Sequence, residues 1–220
     1  MDVRPAVGVR SRIVFYGAGS LALVLSDFLD ASGYRLVAMF TDDAPSRPPI
    51  LSVPLIVGRD AIDRWLADEA GDDLSYAIAI GNRHRARLER SQLLRQKNLK
   101  PATLIHPTSF ISPSASVGAA CQILAFAFLG AAAGIGDAVI LNSNASVDHE
   151  CRLGDGVYVG PGAVLAGEVE VGDCTFIGAG AVVLPGIRIA ADVTIGAGAV
   201  VTDNIEKAGT YVGMPARRLA

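Results

Sequence analysis

From Ile105 to Val201 every sixth residue is a bulky aliphatic, seventeen in succession: Ile105, Ile111, Val117, Ile123, Leu129, Ile135, Leu141, Val147, Leu153, Val159, Leu165, Val171, Ile177, Val183, Ile189, Ile195 and Val201. A period of six fits neither the 3.6-residue helix nor an alternating strand, so it predicts a repeat array in which each unit turns one large side chain inward. The fourth residue after each aliphatic is small or β-branched throughout, from Ser109 and Ala115 to Ala199 and Ile205. Large and compact positions in alternation suit a narrow tube with two inward residues per short strand.

The hexads starting at Val159, Ile177 and Ile195 read Val-Gly-Pro-Gly-Ala-Val, Ile-Gly-Ala-Gly-Ala-Val and Ile-Gly-Ala-Gly-Ala-Val. They resemble the hexapeptide-repeat parallel β-helix, whose members wind left-handed, against the usual crossover rule, with three hexads and so eighteen residues per coil. Residues 105–220 are expected to form this all-β domain.

Residues 1–104 follow another rhythm. Arg12 to Tyr16 is a β-branched and aromatic run that ends in Gly17-Ala18-Gly19-Ser20. Leu21, Leu23, Val24, Leu25, Phe28 and Leu29 then supply an apolar helical face, closed by Gly33. Leu36 to Phe40 predicts a second strand with Asp42 and Asp43 just past its end, and Pro45 to Pro54 a connection. Asp60 to Ala70 predicts a helix, Tyr76 to Ile80 a buried strand stopping at Gly81-Asn82, and Arg83 to Lys97 a charged helix. Alternating strands and helices predict an α/β, Rossmann-like parallel sheet with its ligand at the carboxyl ends of the strands.

Composition narrows the class. The chain is 51% apolar with 24 Gly, and no run of about 18 uncharged apolar residues occurs. Residues 1–12 carry three Arg and no apolar core, so a cytoplasmic protein without signal or membrane insertion is expected. Three Cys make an odd count without metal spacing, and Cys121 and Cys151 fall on inward positions where a thiol acts as a small hydrophobe. Residues 1–104 hold 14 Lys+Arg against 12 Asp+Glu, and residues 105–220 hold 5 against 10. An acidic repeat domain argues against nucleic acid as the partner.

Gly17-Ala-Gly-Ser-Leu-Ala22 matches the Gly-x-Gly-x-x-Ala dinucleotide fingerprint, with Asp42 where a ribose hydroxyl would bind. About one hundred residues suffice for only one mononucleotide-binding half. A nucleotide diphosphate on the loop amides therefore accounts for the same residues with less protein than NAD requires. A purely structural tight turn is the plain alternative.

The glycine turn, Gly81-Asn82, the Ile105-His106-Pro107 entry, Val147-Asp-His-Glu-Cys151 within the β-helix and the Val212-Gly-Met-Pro-Ala216 ending together resemble the bacterial sugar O-acyltransferases. That family includes sialic-acid O-acetyltransferases and N-acetyltransferases of nucleotide-linked amino sugars such as bacillosamine and perosamine. The likeness covers nearly the whole chain. It implies an acetyl-CoA-dependent acetyltransferase of polysaccharide biosynthesis, homotrimeric, acting on a nucleotide-linked sugar and using no metal. His149, the one histidine in the coil body, would be the general base, with Glu150 beside it stabilising the imidazolium; Asp148 flanks it too.

Gly167 lies eighteen residues on, one coil away, where its N–H would be accessible to receive the oxyanion of the attacked thioester; a tight corner needing Gly is the alternative. The same step stacks Gly160, Gly178 and Gly196, and Gly162, Gly180 and Gly198, into two columns along one face. By resemblance, acetyl-CoA would contact Ala179 and Ala197 there. Tyr158 stands nine residues past His149, where some relatives carry a second His near the acetyl carbonyl. Its phenol can donate a hydrogen bond but supplies no second base.

For the nucleotide-sugar the expected contacts are Gly19, Ser20, Leu21, Asp42, Asp43, Gly81 and Asn82. Ser20-Leu21 replace a common Gly-His, and Leu21 offers no side-chain hydrogen bond. His84 among arginines, His106 at the domain junction and the basic pair Arg217 and Arg218 are weaker candidates. Two other classes compete. A γ-type carbonic anhydrase needs three histidines around a metal, and a non-catalytic β-helix would serve as a scaffold for a nucleotide sensor.

Overall fold

The computed structural model describes residues 11–46, 50, 52–69, 73–81 and 84–219. In the N-terminal part, β1 (Ser11–Tyr16), α1 (Ser20–Ser26), β2 (Tyr34–Thr41), β3 (Leu55–Val57), α2 (Arg59–Glu69), β4 (Ser75–Ile78), α3 (His84–Gln96) and β5 (Lys100–Pro101) follow in order. The five strands form one parallel sheet in the order β3-β2-β1-β4-β5. Alternate residues of β1 face opposite layers. Ile13 and Phe15 pack with Ala22 and Leu25 of α1, whereas Val14 and Tyr16 pack with Ile62 and Leu66 of α2 and Leu94 of α3. Strand order reverses at β1, so the loops after β1 and β4 flank the crevice where such sheets hold ligands.

Two local differences from the sequence reading have physical causes. The first helix stops at Ser26, whose hydroxyl donates to the Leu23 carbonyl at 2.7 Å, and a separate 3₁₀ turn (Asp30–Ser32) ends at Gly33. A seven-residue helix covers the sheet with only one face, which leaves Leu23 and Val24 exposed at 45% and 42%. Beyond Pro54, the expected connection is followed by β3 at the sheet edge.

From Leu104 the chain winds into a triangular prism. Its first wall runs from Leu104–Ile105 through Ile140–Leu141, Tyr158–Val159 and Phe176–Ile177 to Gly209–Val212. The second stacks Phe110–Ile111, Phe128–Leu129, Ser146–Val147, Val164–Leu165, Val182–Val183 and Val200–Val201. The third stacks Ser116–Val117, Gly134–Ile135, Arg152–Leu153, Glu170–Val171 and Arg188–Ile189. Up to Val201 partners lie eighteen residues apart, as in Phe128 with Ser146 and Tyr158 with Phe176, and the last step shortens to sixteen, Thr194 facing Thr210.

Every corner from Ala120 to Gly198 is turned by a left-handed residue six positions after the last, nine of them not glycine, as at Glu150 (φ 58) and Glu168 (φ 62). Each such residue costs about 1 kcal/mol. Bonds between coils offset it: Glu150 N–H donates to Ala131 O, and Glu168 N–H to His149 O, both at 2.9 Å. Parallel walls with these corners form a left-handed β-helix.

The ladder fills the prism from Ile123 to Val201, all these aliphatics being buried. The entry coil is the exception: Ile105 is 41% exposed and Ile111 and Val117 are only partly buried. An end coil has no preceding coil to cover it.

The α/β domain rests on the first wall and on the edge between the third and first walls. Along that edge Asp137, Asp155 and Asp173 form a ladder in which each carboxylate accepts a backbone N–H of the coil before it, from Ala119, Asp137 and Asp155, at 2.7, 2.7 and 2.8 Å. Helix α3 meets this acidic edge with Arg95 at 2.7 Å from Asp137 and Arg85 at 2.6 Å from Asp192. Part of the uneven charge in the sequence is therefore consumed between the two domains.

Candidate functional site

His149 sits on the edge between the second and third walls, with its side chain half exposed. Its backbone N–H donates to Asp148 Oδ1 at 2.7 Å, which turns that carboxylate toward the main chain. The neighbouring Glu150 is the left-handed corner residue, and its reversed backbone swings the side chain to the same side as the imidazole. Glu150 Oε2 lies 3.2 Å from His149 Nδ1. The ambiguity between the two flanking carboxylates is thus settled by corner geometry: Glu150 meets the ring and Asp148 meets the backbone. With Nδ1 occupied, Nε2 is the nitrogen left to take a proton.

Gly167 occupies the equivalent place one coil on, and a Cβ added there would collide with His149 Cε1 and Nε2. The residue is buried, covered by the imidazole rather than open to solvent as the sequence reading expects. Glycine is required here because the ring uses the space any side chain would fill. The Gly167 N–H finds no acceptor among the described residues, while its carbonyl accepts from Gly186 N–H at 2.9 Å. A histidine with one free nitrogen, seated on an unused amide, can deprotonate a nucleophile and receive an oxyanion within one small volume.

The glycine columns lie along an edge, between the first and second walls, rather than along a face. Their two members differ. Cβ atoms at Gly160 and Gly178 would lie 2.7 and 2.6 Å from the backbone N of Ala179 and Ala197, so these glycines serve the approach of one coil to the next. At Gly162, Gly180 and Gly198 a Cβ would meet nothing within 4 Å. Ala179 and Ala197, between the columns, are exposed, and their N–H groups have no acceptor among the described residues. The chain does not bring this edge to His149, since the two border opposite sides of the second wall.

Tyr158 is on neither edge. It lies on the first wall beneath the α/β domain, stacked on Phe176 at 4.7 Å, with its hydroxyl accepting from Asn142 Nδ2 at 2.8 Å and the Arg87 guanidinium 5.9 Å above the ring. It stands away from the chain's own His149.

At the carboxyl ends of β1, β2 and β4 a cleft of about 400 Å³ is lined by Tyr16 to Gly19, Thr41 to Asp43, Ala79 to Gly81, Ala86 and Arg90. This gathers Gly19, Asp42, Asp43 and Gly81. Ser20 and Leu21 follow as the first residues of α1. Asn82 lies outside the described residues, as does the side chain of His84. Gly17 (φ +117) has its Cα hydrogen against Ala79 O, where a methyl would collide, so the two loops close the cleft floor together.

Asp42 is already engaged. Tyr16 donates to its Oδ1 at 2.7 Å, and Arg90 Nε and NH2 donate to its Oδ2 at 3.0 and 2.9 Å. A carboxylate has about four lone-pair sites, so about one remains for a ribose hydroxyl. Burial pushes the Asp42 carboxyl up, but the Tyr16 and Arg90 hydrogen bonds and the charges of Arg90 and Arg59 outweigh it, leaving the group below the ordinary aspartate range. Burial, then the bond to Asp42, pushes the Tyr16 phenol up to about 12. Arg90 reads in the sequence as part of a charged surface helix, and no local spacing ties it to Asp42.

A larger groove, about 580 Å³, lies on the third wall among Arg152, Glu170, Arg188 and Glu206. Glu170 and Arg188 pair with each other at 3.5 Å there, and the groove holds none of the catalytic or ligand-binding residues expected from the sequence. Among the described residues there is no group of three or more His, Cys, Asp or Glu placed to hold a metal ion, and no helix long and apolar enough to cross a membrane.

A hexad prism carrying a His-Glu pair on one edge, joined to a small parallel sheet with a glycine-lined crevice, defines a transferase of the hexapeptide type. Family models agree: residues 132–167 and 168–203 match the bacterial transferase hexapeptide (six repeats), and residues 12–91 match the PglD N-terminal domain.

Among solved structures, PerB from Caulobacter crescentus, in complex with CoA and GDP-perosamine, is 33% identical with a TM-score of 0.86 over 98% of this chain and 99% of that one. The acetyltransferase domain of PglB from Neisseria gonorrhoeae, in complex with acetyl coenzyme A, is 29% identical with a TM-score of 0.83 over 96% and 100%. WeeI from Acinetobacter baumannii is 26% identical with a TM-score of 0.80 over 94% and 99%. No curated protein sequence matches significantly. The chain belongs to the sugar acyltransferases of the hexapeptide type, and it is an acyltransferase.

Proposed function

We propose that this acyltransferase moves the acetyl group of acetyl-CoA to the amine of a nucleotide-linked amino sugar, with His149 as general base. The observation that carries the reading is the seat of the His149 imidazole on Gly167, with Glu150 at Nδ1. The substrate amine attacks the thioester carbonyl as Nε2 takes its proton. The oxyanion meets the Gly167 N–H, the C–S bond breaks, and the imidazolium returns the proton to the departing thiolate. No covalent enzyme intermediate is formed. The nucleotide diphosphate is held in the 400 Å³ cleft of the α/β domain by loop amides around Gly19 and Gly81, beside Asp42 and Asp43. Relatives solved with CoA and GDP-perosamine, or with acetyl coenzyme A, support both ligands.

The second wall supports a homotrimer. Its outward residues are Phe110, Phe128, Ser146, Val164, Val182 and Val200, with no charge among them, and Phe110, Phe128 and Val164 are exposed at 54, 37 and 39%. The first wall is covered by the α/β domain and the third presents Arg152, Glu170 and Arg188. Cyclic packing through the apolar wall places one chain's His149 edge beside a neighbour's Ala179 and Ala197 edge, uniting base and pantetheine strip across the interface.

A thermal-shift screen of UDP-, GDP- and CMP-linked amino sugars, followed by mass spectrometry with acetyl-CoA, tests the reading. The expected result is a product heavier by one acetyl group on nitrogen. Transfer to oxygen alone overturns the amine assignment, and undiminished turnover by His149→Ala overturns the base.

A further inference from the structure

Arg87 is the one charged side chain in the described core that is fully buried, at 0% exposure. Among the described residues it has no carboxylate partner. Its guanidinium instead donates to three backbone carbonyls: NH1 to Gly81, NH2 to Gly156, and Nε to Ala138 at 3.2 Å. Its Cζ lies over the Tyr158 ring, 5.9 Å from the centroid. Burial pushes its pKa down to about 10. Buried charge without a counter-ion is costly, and a carbon side chain of similar volume would fill the space without that cost. What only a planar fork supplies is simultaneous hydrogen bonds in fixed directions.

Those directions join the two halves of the catalytic assembly. Gly81 lines the cleft of the α/β domain, whereas Ala138 and Gly156 belong to successive coils of the prism. Tyr158 continues the path: Asn142 Nδ2 donates to its hydroxyl at 2.8 Å, and Asn142 Oδ1 accepts from Ser143 N–H at 2.7 Å. Ser143 stands on the same edge as Ala179 and Ala197, and its carbonyl accepts from Gly162 N–H at 3.0 Å. A continuous set of contacts thus runs from the cleft wall to the edge proposed for the pantetheine arm.

We infer that Arg87 is a positioning residue, which fixes the Gly81 wall of the nucleotide cleft against the β-helix so that the bound sugar meets the acetyl group at a set distance. Tyr158 faces the guanidinium at cation–π distance, which gives it a task other than contact with the acetyl carbonyl. This rests on the proposed nucleotide-sugar reading for its kinetic consequence and on geometry alone for its structural one.

The test compares Arg87→Met and Arg87→Lys with the full-length protein. Hydrogen exchange is measured over the segment Tyr76 to Gly81, and steady-state rates are measured with nucleotide-sugar and acetyl-CoA varied separately. Both variants are expected to keep the circular dichroism and oligomeric mass of the parent. Exchange over Tyr76 to Gly81 rises, more in Met than in Lys, and kcat/KM for the nucleotide-sugar falls about a hundredfold, as a misplacement near 1 Å produces, with KM for acetyl-CoA unchanged. If Arg87→Met does not fold, Arg87→Lys is read by the same criteria. A folded variant with unchanged exchange at that segment, or with equal rises in both KM values, overturns the inference. Exchange needs no substrate, so a parent protein that acetylates no nucleotide-sugar defeats the functional reading and still leaves Arg87 to be decided by exchange.

Discussion

The imidazole of His149 covers the backbone of Gly167 so closely that the glycine has no room for a single methyl group. Gly167→Ala is therefore expected to tilt the ring from Glu150 and from the Gly167 amide together. Turnover should fall about a hundredfold, as after a small displacement of a catalytic group, while acetyl-CoA affinity by calorimetry stays within twofold or so. Turnover equal to the parent would show that ring and glycine are neighbours without a shared task.

Removing the base itself is the larger loss. His149→Ala should lower kcat by about 10²–10⁴. Glu150→Gln keeps a hydrogen-bonding group 3.2 Å from Nδ1 but removes its charge, and about tenfold is expected, the worth of roughly one charge-assisted hydrogen bond. Single-turnover rates at saturating substrates separate the two.

The exposed Phe128 stacks on Phe110 with ring centroids 5.4 Å apart in the apolar second wall. Phe128→Lys would bury a charge in the proposed interface. Light scattering after gel filtration should report a shift from three chains toward one. Activity should vanish with assembly even though His149 is untouched, because the cofactor edge then lacks a facing base. A monomeric variant with full activity would refute a shared site.

Asp42 gives a pH dependence of known sign. Its folded-state pKa is lowered from 3.8, so the stability it contributes is fully present above that value and is lost as pH falls below it, through the lower folded-state value. The urea midpoint of Asp42→Asn should fall below the parent's at pH 7, and the gap should narrow at pH 3. A gap that widens on acidification would contradict the Tyr16 and Arg90 bonds as its source. The exposure of the pair keeps the effect small.

The three thiols make a simple check. Cys121, Cys151 and Cys174 are all buried and free, and burial pushes Cys121 up to about 12. A disulfide reagent at pH 8 should leave them unmodified in the native protein and titrate all three after denaturation. Rapid native reaction of any one would place it elsewhere.

The eighteen-residue step made the His149 and Gly167 pairing legible from sequence, because stacking in a β-helix is a matter of counting. The strands around the glycine cleft were legible for a similar reason, each being a short apolar run ended by a turn. Arg87 was not: its partners are carbonyl oxygens, which every residue has, so nothing in side-chain identity marks them. Arg90 and Asp42 are 48 residues apart on separate elements, beyond any local pattern. The orientation of Glu150 toward His149 depended on a left-handed backbone at a glutamate, a conformation its residue type disfavours. The separation of the His149 edge from the Ala179 edge was open to the same count, because residue 179 lies one coil and two hexads past residue 149 and therefore on another edge; what the count does not give is how a second chain would bring the two edges together.

The prism also behaves as a ruler with two divisions. Inserting a whole coil of eighteen residues would lengthen it by one strand spacing, about 4.8 Å, and leave every later residue on its own wall. Inserting a single hexad would add no more sequence than a small loop, yet it would rotate everything downstream by one wall, carrying the Ala179 edge to where the His149 edge now stands. Length variation in this architecture is therefore silent in threes and drastic in ones.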